Sequence, residues 1–205
     1  MPNHCENTLG VLGKTEDVME FVNLVSKGDD VYEIFKSLKP MPEELIDTSF
    51  PQVTNEELKS KYGYDNWYDW CCANWGTKWG DYDINTPGIE HSSITSYPEL
   101  ENGDVDIENP ITVLTNESSI HFYYQTAWAA GEESLKKLLS EQFPKLIFWL
   151  YYEEPGMCFA GELRICKGNI VYDESWEFHP KYDSIVDIDW DHYESDYFKT
   201  KQLEV

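Results

Sequence analysis

The sequence predicts an α+β domain built around an antiparallel sheet. Three observations predict it. A short apolar stretch, Thr8 to Leu12, runs directly into an amphipathic helix pattern. After a long irregular region, Ile111 to Tyr152 reads as strand, strand, helix, strand. Two further alternating stretches, 157–166 and 170–172, flank the tight turn Lys167-Gly168-Asn169.

The first strand ends at Gly13 and Lys14. Thr15 is placed to cap the following helix, with Glu16 and Asp17 in the first turn, where the helix dipole favours acids. Val18, Phe21, Val22 and Val25 repeat at i, i+3, i+4, i+7 and predict one buried stripe; Gly28 closes the helix. A weaker helical pattern covers Val31 to Leu38, before Pro40 and Pro42 break the chain. Residues 43–62 read as polar connections with one or two helical turns.

Residues 65–76, Asp65-Asn66-Trp67-Tyr68-Asp69-Trp70-Cys71-Cys72-Ala73-Asn74-Trp75-Gly76, read as a compact helix capped by Asp65 or Asn66 and stopped by Gly76. Trp67, Trp70, Cys71 and Trp75 share one face of it. Residues 85–109 show no clear period and read as an exposed insertion.

Ile111–Thr115 and Ser119–Gln125 are expected to form a hairpin around Asn116-Glu117-Ser118. Leu135, Leu138, Leu139 and Phe143 mark the next helix, which Pro144 ends. Leu146 to Tyr152, nearly all apolar, predicts a strand covered on both faces. With the insertion set aside, the order approaches β-α-β-β-α-β, a ferredoxin-like split β-α-β core, with no implication of iron. The expected organisation is a core over 1–39 and 110–172, an inserted helical and loop subdomain over 40–109, and an acidic C-terminal extension over 173–205.

Hydrophobic residues at 41% and aromatics at 15% exclude global disorder. A chain of 205 residues buries roughly 70% of its unfolded surface, so no disulfide or metal is required. The longest apolar run is far short of the roughly 20 residues that span a bilayer. The N-terminus shows neither a basic nor an apolar signal region, and five cysteines are an odd count. These features predict reduced thiols in a cytoplasm.

Asp+Glu 39 against Lys+Arg 15 leaves a net charge of -24, and Arg164 is the only arginine. Such a chain repels nucleic acid and anionic membranes at long range. The field steers it instead towards basic protein surfaces, or serves solubility alone.

Three segments carry a family resemblance. They are the opening Met-Pro-Asn-His-Cys-Glu-Asn-Thr-Leu, the stretch Trp67 to Trp79 with its Trp75-Gly76-Thr77-Lys78-Trp79 element, and Thr126-Ala127-Trp128 continuing through Phe143-Pro144 to Tyr152-Glu153-Glu154-Pro155-Gly156 and Phe159-Ala160-Gly161. Over residues 1–172 the chain resembles the YubB-type ferredoxin-like proteins of conjugative plasmids and bacteriophages. The resemblance implies a ferredoxin-like fold and a mobile-element context in a bacterial host. That family is largely uncharacterised, so no catalytic residue carries over.

Motifs for chemistry are sparse. Zinc sites space their Cys and His in Cys-x2-4-Cys or His-x3-5-His pairs; His4, Cys5, Cys71 and Cys72 do not, and read as packing residues. Cys158 and Cys166 are eight positions apart on one expected strand and read as small apolar residues. His121 with Cys71 would make a nucleophile–base pair if the fold joined them. Asp187-Ile188-Asp189-Trp190-Asp191 opens like a calcium loop, but His192 and Phe198 stand where Gly and Glu are needed. No P-loop, dinucleotide loop or zinc helix is present. No catalytic, cofactor or metal residue is assigned.

As a strand, Asp187, Asp189 and Asp191 would line one edge, and Asp104, Asp106 and Glu108 another. Rows of carboxylates on rigid strands are what a phosphate-mimicking surface requires. Taken with the mobile-element context that the resemblance implies, the expected function is non-enzymatic: a strongly acidic phage or plasmid protein that binds and inhibits a host protein with a basic surface, occupying its nucleic-acid groove as a DNA mimic. The expected partner-binding residues are Asp173, Glu174, Glu177, Asp183, Asp187, Asp189, Asp191, Glu194 and Asp196. The alternative is a small-molecule or nucleotide-binding domain, enzymatic or not, with a site between Trp75–Trp79 and the sheet near His121 and Trp128. The tryptophans Trp67, Trp70, Trp75 and Trp79 serve either as core of the insertion or as a stacking platform.

Overall fold

The structure is a computed structural model that describes residues 3–28, 30–51, 54–96 and 111–177. Strand β1 (His4–Lys14) leads into helix α1 (Thr15–Val25), followed by four short helices, α2 (Ile34–Leu38), α3 (Glu43–Ile46), α4 (Glu56–Tyr62) and α5 (Trp67–Asn74). Strands β2 (Tyr82–Asn85), β3 (Ile89–Ser96) and β4 (Ile111–Ala127) come next, then helix α6 (Glu132–Gln142) and strands β5 (Ile147–Glu154), β6 (Phe159–Cys166) and β7 (Asn169–Glu177). The strands form one antiparallel sheet in the order β2-β4-β1-β5-β6-β7, with β3 also paired to β4.

The arrangement is α+β and ferredoxin-like. Strand β1 lies between β4 and β5, antiparallel to both. The unit β4-α6-β5 is therefore a split β-α-β whose two parallel strands flank β1. The unit from β1 through α1 to β3 is the second, with β4 between its strands. The β6–β7 hairpin widens the sheet beyond β5.

Two expected elements are corrected. Asn116-Glu117-Ser118 is not a turn: β4 runs unbroken from Ile111 to Ala127. Polar residues do not force a turn where the sheet satisfies them. The buried Ser118 hydroxyl lies 2.8 Å from Thr15 Oγ1 and 2.8 Å from His91 Nδ1. The missing partner strand is β3, inside the stretch assigned to the insertion. A register shift between His91 and Ser93 breaks its period-two pattern, so the sequence hides it. At the other boundary, β7 carries the sheet through Asp173 to Glu177.

Alternate β1 residues Cys5, Leu9 and Val11 join α1, α6 and the insertion in one core cluster. Phe21 of α1 is its hub, edge-on to Phe122 at 6.0 Å, Phe143 at 5.1 Å and Phe148 at 5.6 Å. All four stripe residues of α1 are buried, but the N-cap is Lys14 and Thr15 is the first helical residue. Helix α5 is capped by Asn66, whose side chain accepts from Asp69 N at 2.9 Å. Its Trp70 and the following Trp75 are buried. Asp81 anchors α2 by accepting from Ile34 N and Phe35 N. Among the described residues, no helix is long and apolar enough to cross a membrane.

Candidate functional site

The other face of the sheet is built by the β1 residues between the core positions. Register places Gly10 between His121 of β4 and Trp149 of β5. A Cβ on Gly10 would lie 3.2 Å from the His121 ring and 3.8 Å from Trp149. The missing side chain is what lets both rings lean over the strand. Trp149 is buried, yet it stands outside the main core cluster.

Three rows cross β5, β6 and β7 on this face: Trp149–Arg164–Tyr172, Tyr151–Glu162–Glu174 and Glu153–Ala160–Trp176. Trp149 Nε1 donates to Glu162 Oε1 at 2.5 Å, and the Arg164 guanidinium donates to the same oxygen. Arg164 Cζ lies 5.0 Å above the Tyr172 ring. Tyr151 stacks on Trp149 at 6.3 Å and 19°. The hydroxyls of Tyr151 and Tyr172 donate to Glu153 and Glu174, each at 3.1 Å. Burial raises the Tyr151 pKa, and the bond to Glu174 raises that of Tyr172.

Like charges also confront each other twice on this face. Glu6 faces Glu153 across β1 and β5, and Glu162 faces Glu174 across β6 and β7. Like charges directly opposite on neighbouring strands are destabilising, by roughly 0.2–1 kcal/mol per pair. Glu90 adds a fifth carboxylate at the β3 side, opposite Ser119. Arg164 is the one arginine among them.

The expected partner-binding residues divide. Glu174 is on this face, opposite Glu162. Asp173 pairs with Leu163 and turns to the helix side, where its carboxylate meets Lys136 of α6. Glu177, opposite Phe159, shares that side. Asp183, Asp187, Asp189, Asp191, Glu194 and Asp196 lie outside the described residues, as do Asp104, Asp106 and Glu108. Composition alone points to the acids of the tail; Glu6, Glu153 and Glu162 carry no local signal, because only register brings them face to face with other carboxylates.

The alternative site is dispersed. Trp75 belongs to the core, its indole N–H donating to Lys39 O at 2.9 Å. His121 faces the helix-free side, away from the buried Cys71, so the two form no pair. Six positions along β4 separate His121 from Ala127, about 20 Å of strand. What does assemble is smaller. Lys78 Nζ sits over Trp79 at 4.6 Å and over Trp128 at 4.8 Å. Trp128, exposed and at φ 72°, is held by its N–H donating to Asn3 O at 3.0 Å.

Burial pushes the thiols of Cys5 and Cys71 up to about 12, which leaves both protonated and poor nucleophiles. Among the described residues, no group of three His, Cys, Asp or Glu is placed to hold a metal ion. A cleft of about 260 Å³ lies in the insertion, lined by Phe50, Lys59, Tyr64, Asp65 and Asp69.

Burial also lowers the His121 pKa below its ordinary 6.5, with Glu90 opposing the shift. The unfolded chain then binds more protons just below that value. His121 contributes its stability fully above pH 6.5 and loses it as pH falls through the folded pKa. The His121 ring resonances are expected to titrate below 6.5 by NMR, and His121→Asn to flatten the decline in urea stability between pH 7 and 6. A midpoint at or above 6.5 would contradict this.

With this geometry in place, comparison with known proteins adds one finding. Residues 110–195 match a family model described as the ferredoxin-like domain in Api92-like protein. The match covers less than half of the chain. It spans β4 to β7 and continues into the acidic residues beyond, which the YubB-type resemblance does not reach. It supports a ferredoxin-like family whose description assigns no activity. No curated protein matches the chain. No solved structure matches it either.

Proposed function

We propose that this protein is a non-enzymatic binding module that docks on the basic surface of another protein through the helix-free face of its sheet. One observation carries the reading: two carboxylate pairs, Glu6–Glu153 and Glu162–Glu174, oppose each other across neighbouring strands. Each pair sets two like charges opposite one another, a repulsion that Arg164 offsets in part at Glu162 and that a cationic partner would relieve at both. The net charge of -24 extends the same field over the whole molecule.

Within this reading the partner is a host nucleic-acid-handling or defence protein, blocked in its basic groove by a plasmid- or phage-encoded mimic in the host cytoplasm. The mobile-element setting rests on the sequence resemblance. The test is a pull-down from bacterial lysate at low and high salt, using wild type and a Glu153→Gln/Glu174→Gln variant. Capture should be strong at low salt, weak at high salt, and lost in the variant. Salt-independent capture that the variant retains would dismiss the reading.

A second reading is favoured by the Lys78, Trp79 and Trp128 cluster: a small aromatic ligand, such as a nucleotide, stacked on exposed Trp128 with Lys78 beside it. A thermal-shift screen with nucleotides separates the two, since a ligand at 100 times its Kd adds about 2.7 kcal/mol.

A further inference from the structure

The structure assigns this docking face a preference for arginine over lysine, with a guanidinium subsite formed by Tyr151, Glu153 and Trp176. The inference rests on the reading of the face as a surface for a basic partner.

The chain shows how the face holds a guanidinium. Its own Arg164 places Cζ 5.0 Å from the centre of the Tyr172 ring while donating to the Glu162 carboxylate. An aromatic plane beside a carboxylate favours arginine, whose planar, weakly hydrated fork stacks and donates two bonds at once; the ammonium of Lys61, over Tyr62 at 4.9 Å and on Glu44 at 2.7 Å, meets a ring and a carboxylate only as a strongly hydrated point charge.

The same two components recur one strand over. Tyr151 lies 6.3 Å from Trp176, and its hydroxyl fixes Glu153 at 3.1 Å. Glu153 and Trp176 share the row whose middle residue is Ala160, so β6 places only a methyl between them. Trp176 keeps 41% of its surface exposed. Tyrosine–glutamate pairs at i, i+2 occur on both β5 and β7, each with the hydroxyl on the carboxylate. Each carboxylate is thus fixed beside a ring before a partner arrives, which lowers the entropy lost on binding. Charge complementarity selects a cation, and the ring-plus-carboxylate geometry selects a planar one.

The test titrates the full chain with nona-arginine and with nona-lysine at equal ionic strength, followed by calorimetry. Nona-arginine should bind about fivefold tighter, on the scale of one stacked guanidinium. Trp176→Leu should bring nona-arginine down to the lysine value and leave nona-lysine unchanged. Glu153→Gln should weaken both peptides, whereas Glu16→Gln/Glu20→Gln, at exposed positions of α1, should change neither. Circular dichroism confirms that each variant is folded, and Trp176→Phe, which keeps a ring, should retain the preference. Equal affinities for the two peptides, with Glu153→Gln still weakening both, would overturn the arginine subsite and leave the acidic docking face standing. Binding of neither peptide, or binding indifferent to Glu153, would overturn both.

Discussion

Trp75→Ala is expected to lower stability by about 3–5 kcal/mol, the usual cost of emptying a large buried aromatic site. Trp75 is 3% exposed, lies edge-on to Trp70 at 5.1 Å and packs near Phe35 at 6.3 Å. Its indole N–H also donates to Lys39 O, a hydrogen bond that the variant loses. A domain of this kind holds roughly 5–15 kcal/mol in all. The urea midpoint should therefore fall by roughly 1–2.5 M, given a slope of about 2–3 kcal/mol/M. Trp128→Ala, at an exposed residue, should move it far less. A Trp75→Ala midpoint within about 0.3 M of wild type would mean that Trp75 is not a packing residue, and would return it to the ligand-platform reading.

Gly131→Ala is the second large effect. Gly131 precedes α6 at φ 73°, where an L side chain costs roughly 1–2 kcal/mol. Its Cβ would also collide with the carbonyl oxygen of Trp75 and lie 2.8 Å from Phe35 Cζ. That contact joins the insertion to the start of the second core helix. Backbone cannot swing aside as a side-chain tip can, so overpacking adds roughly 1–3 kcal/mol. The total is about 2–5 kcal/mol. Gly63→Ala is the control: Gly63 has φ 80°, but its added methyl would meet nothing within 4 Å, so it carries the backbone strain alone. Chemical denaturation of both variants isolates the packing part. If the two lose equal stability, the Gly131–Trp75 contact has no energetic weight.

Local elements were legible where one physical signal dominated. The stripe Val18, Phe21, Val22, Val25 has the helical period and is buried as expected. Asn66 caps α5, and the apolar run at Leu146 became β5, which is buried on both faces only as far as Leu150 and leaves Tyr151 and Glu153 half-buried on the helix-free face. The β3–β4 pairing was not legible. Ser118 and Asn116 look like turn residues until Thr15 and His91 are brought alongside. The bulge near Ser93 removes the alternation that would have marked β3.

The candidate site was legible only as a quantity of charge. The acid count predicts an attraction for basic surfaces, because net charge survives any fold. Where that charge becomes a surface with a shape depends on strand register, which no local window contains. Register turned Asp173 towards Lys136, set Glu162 against Glu174, and placed Arg164 over Tyr172.

The sequence by itself determined the fold class, the buried helix stripes and the sign of the field, since each follows from local period or from composition. Only the tertiary structure decided which tryptophans are core and which carboxylates confront each other. Those are contacts between residues far apart in the chain, and pairing across strands sets them.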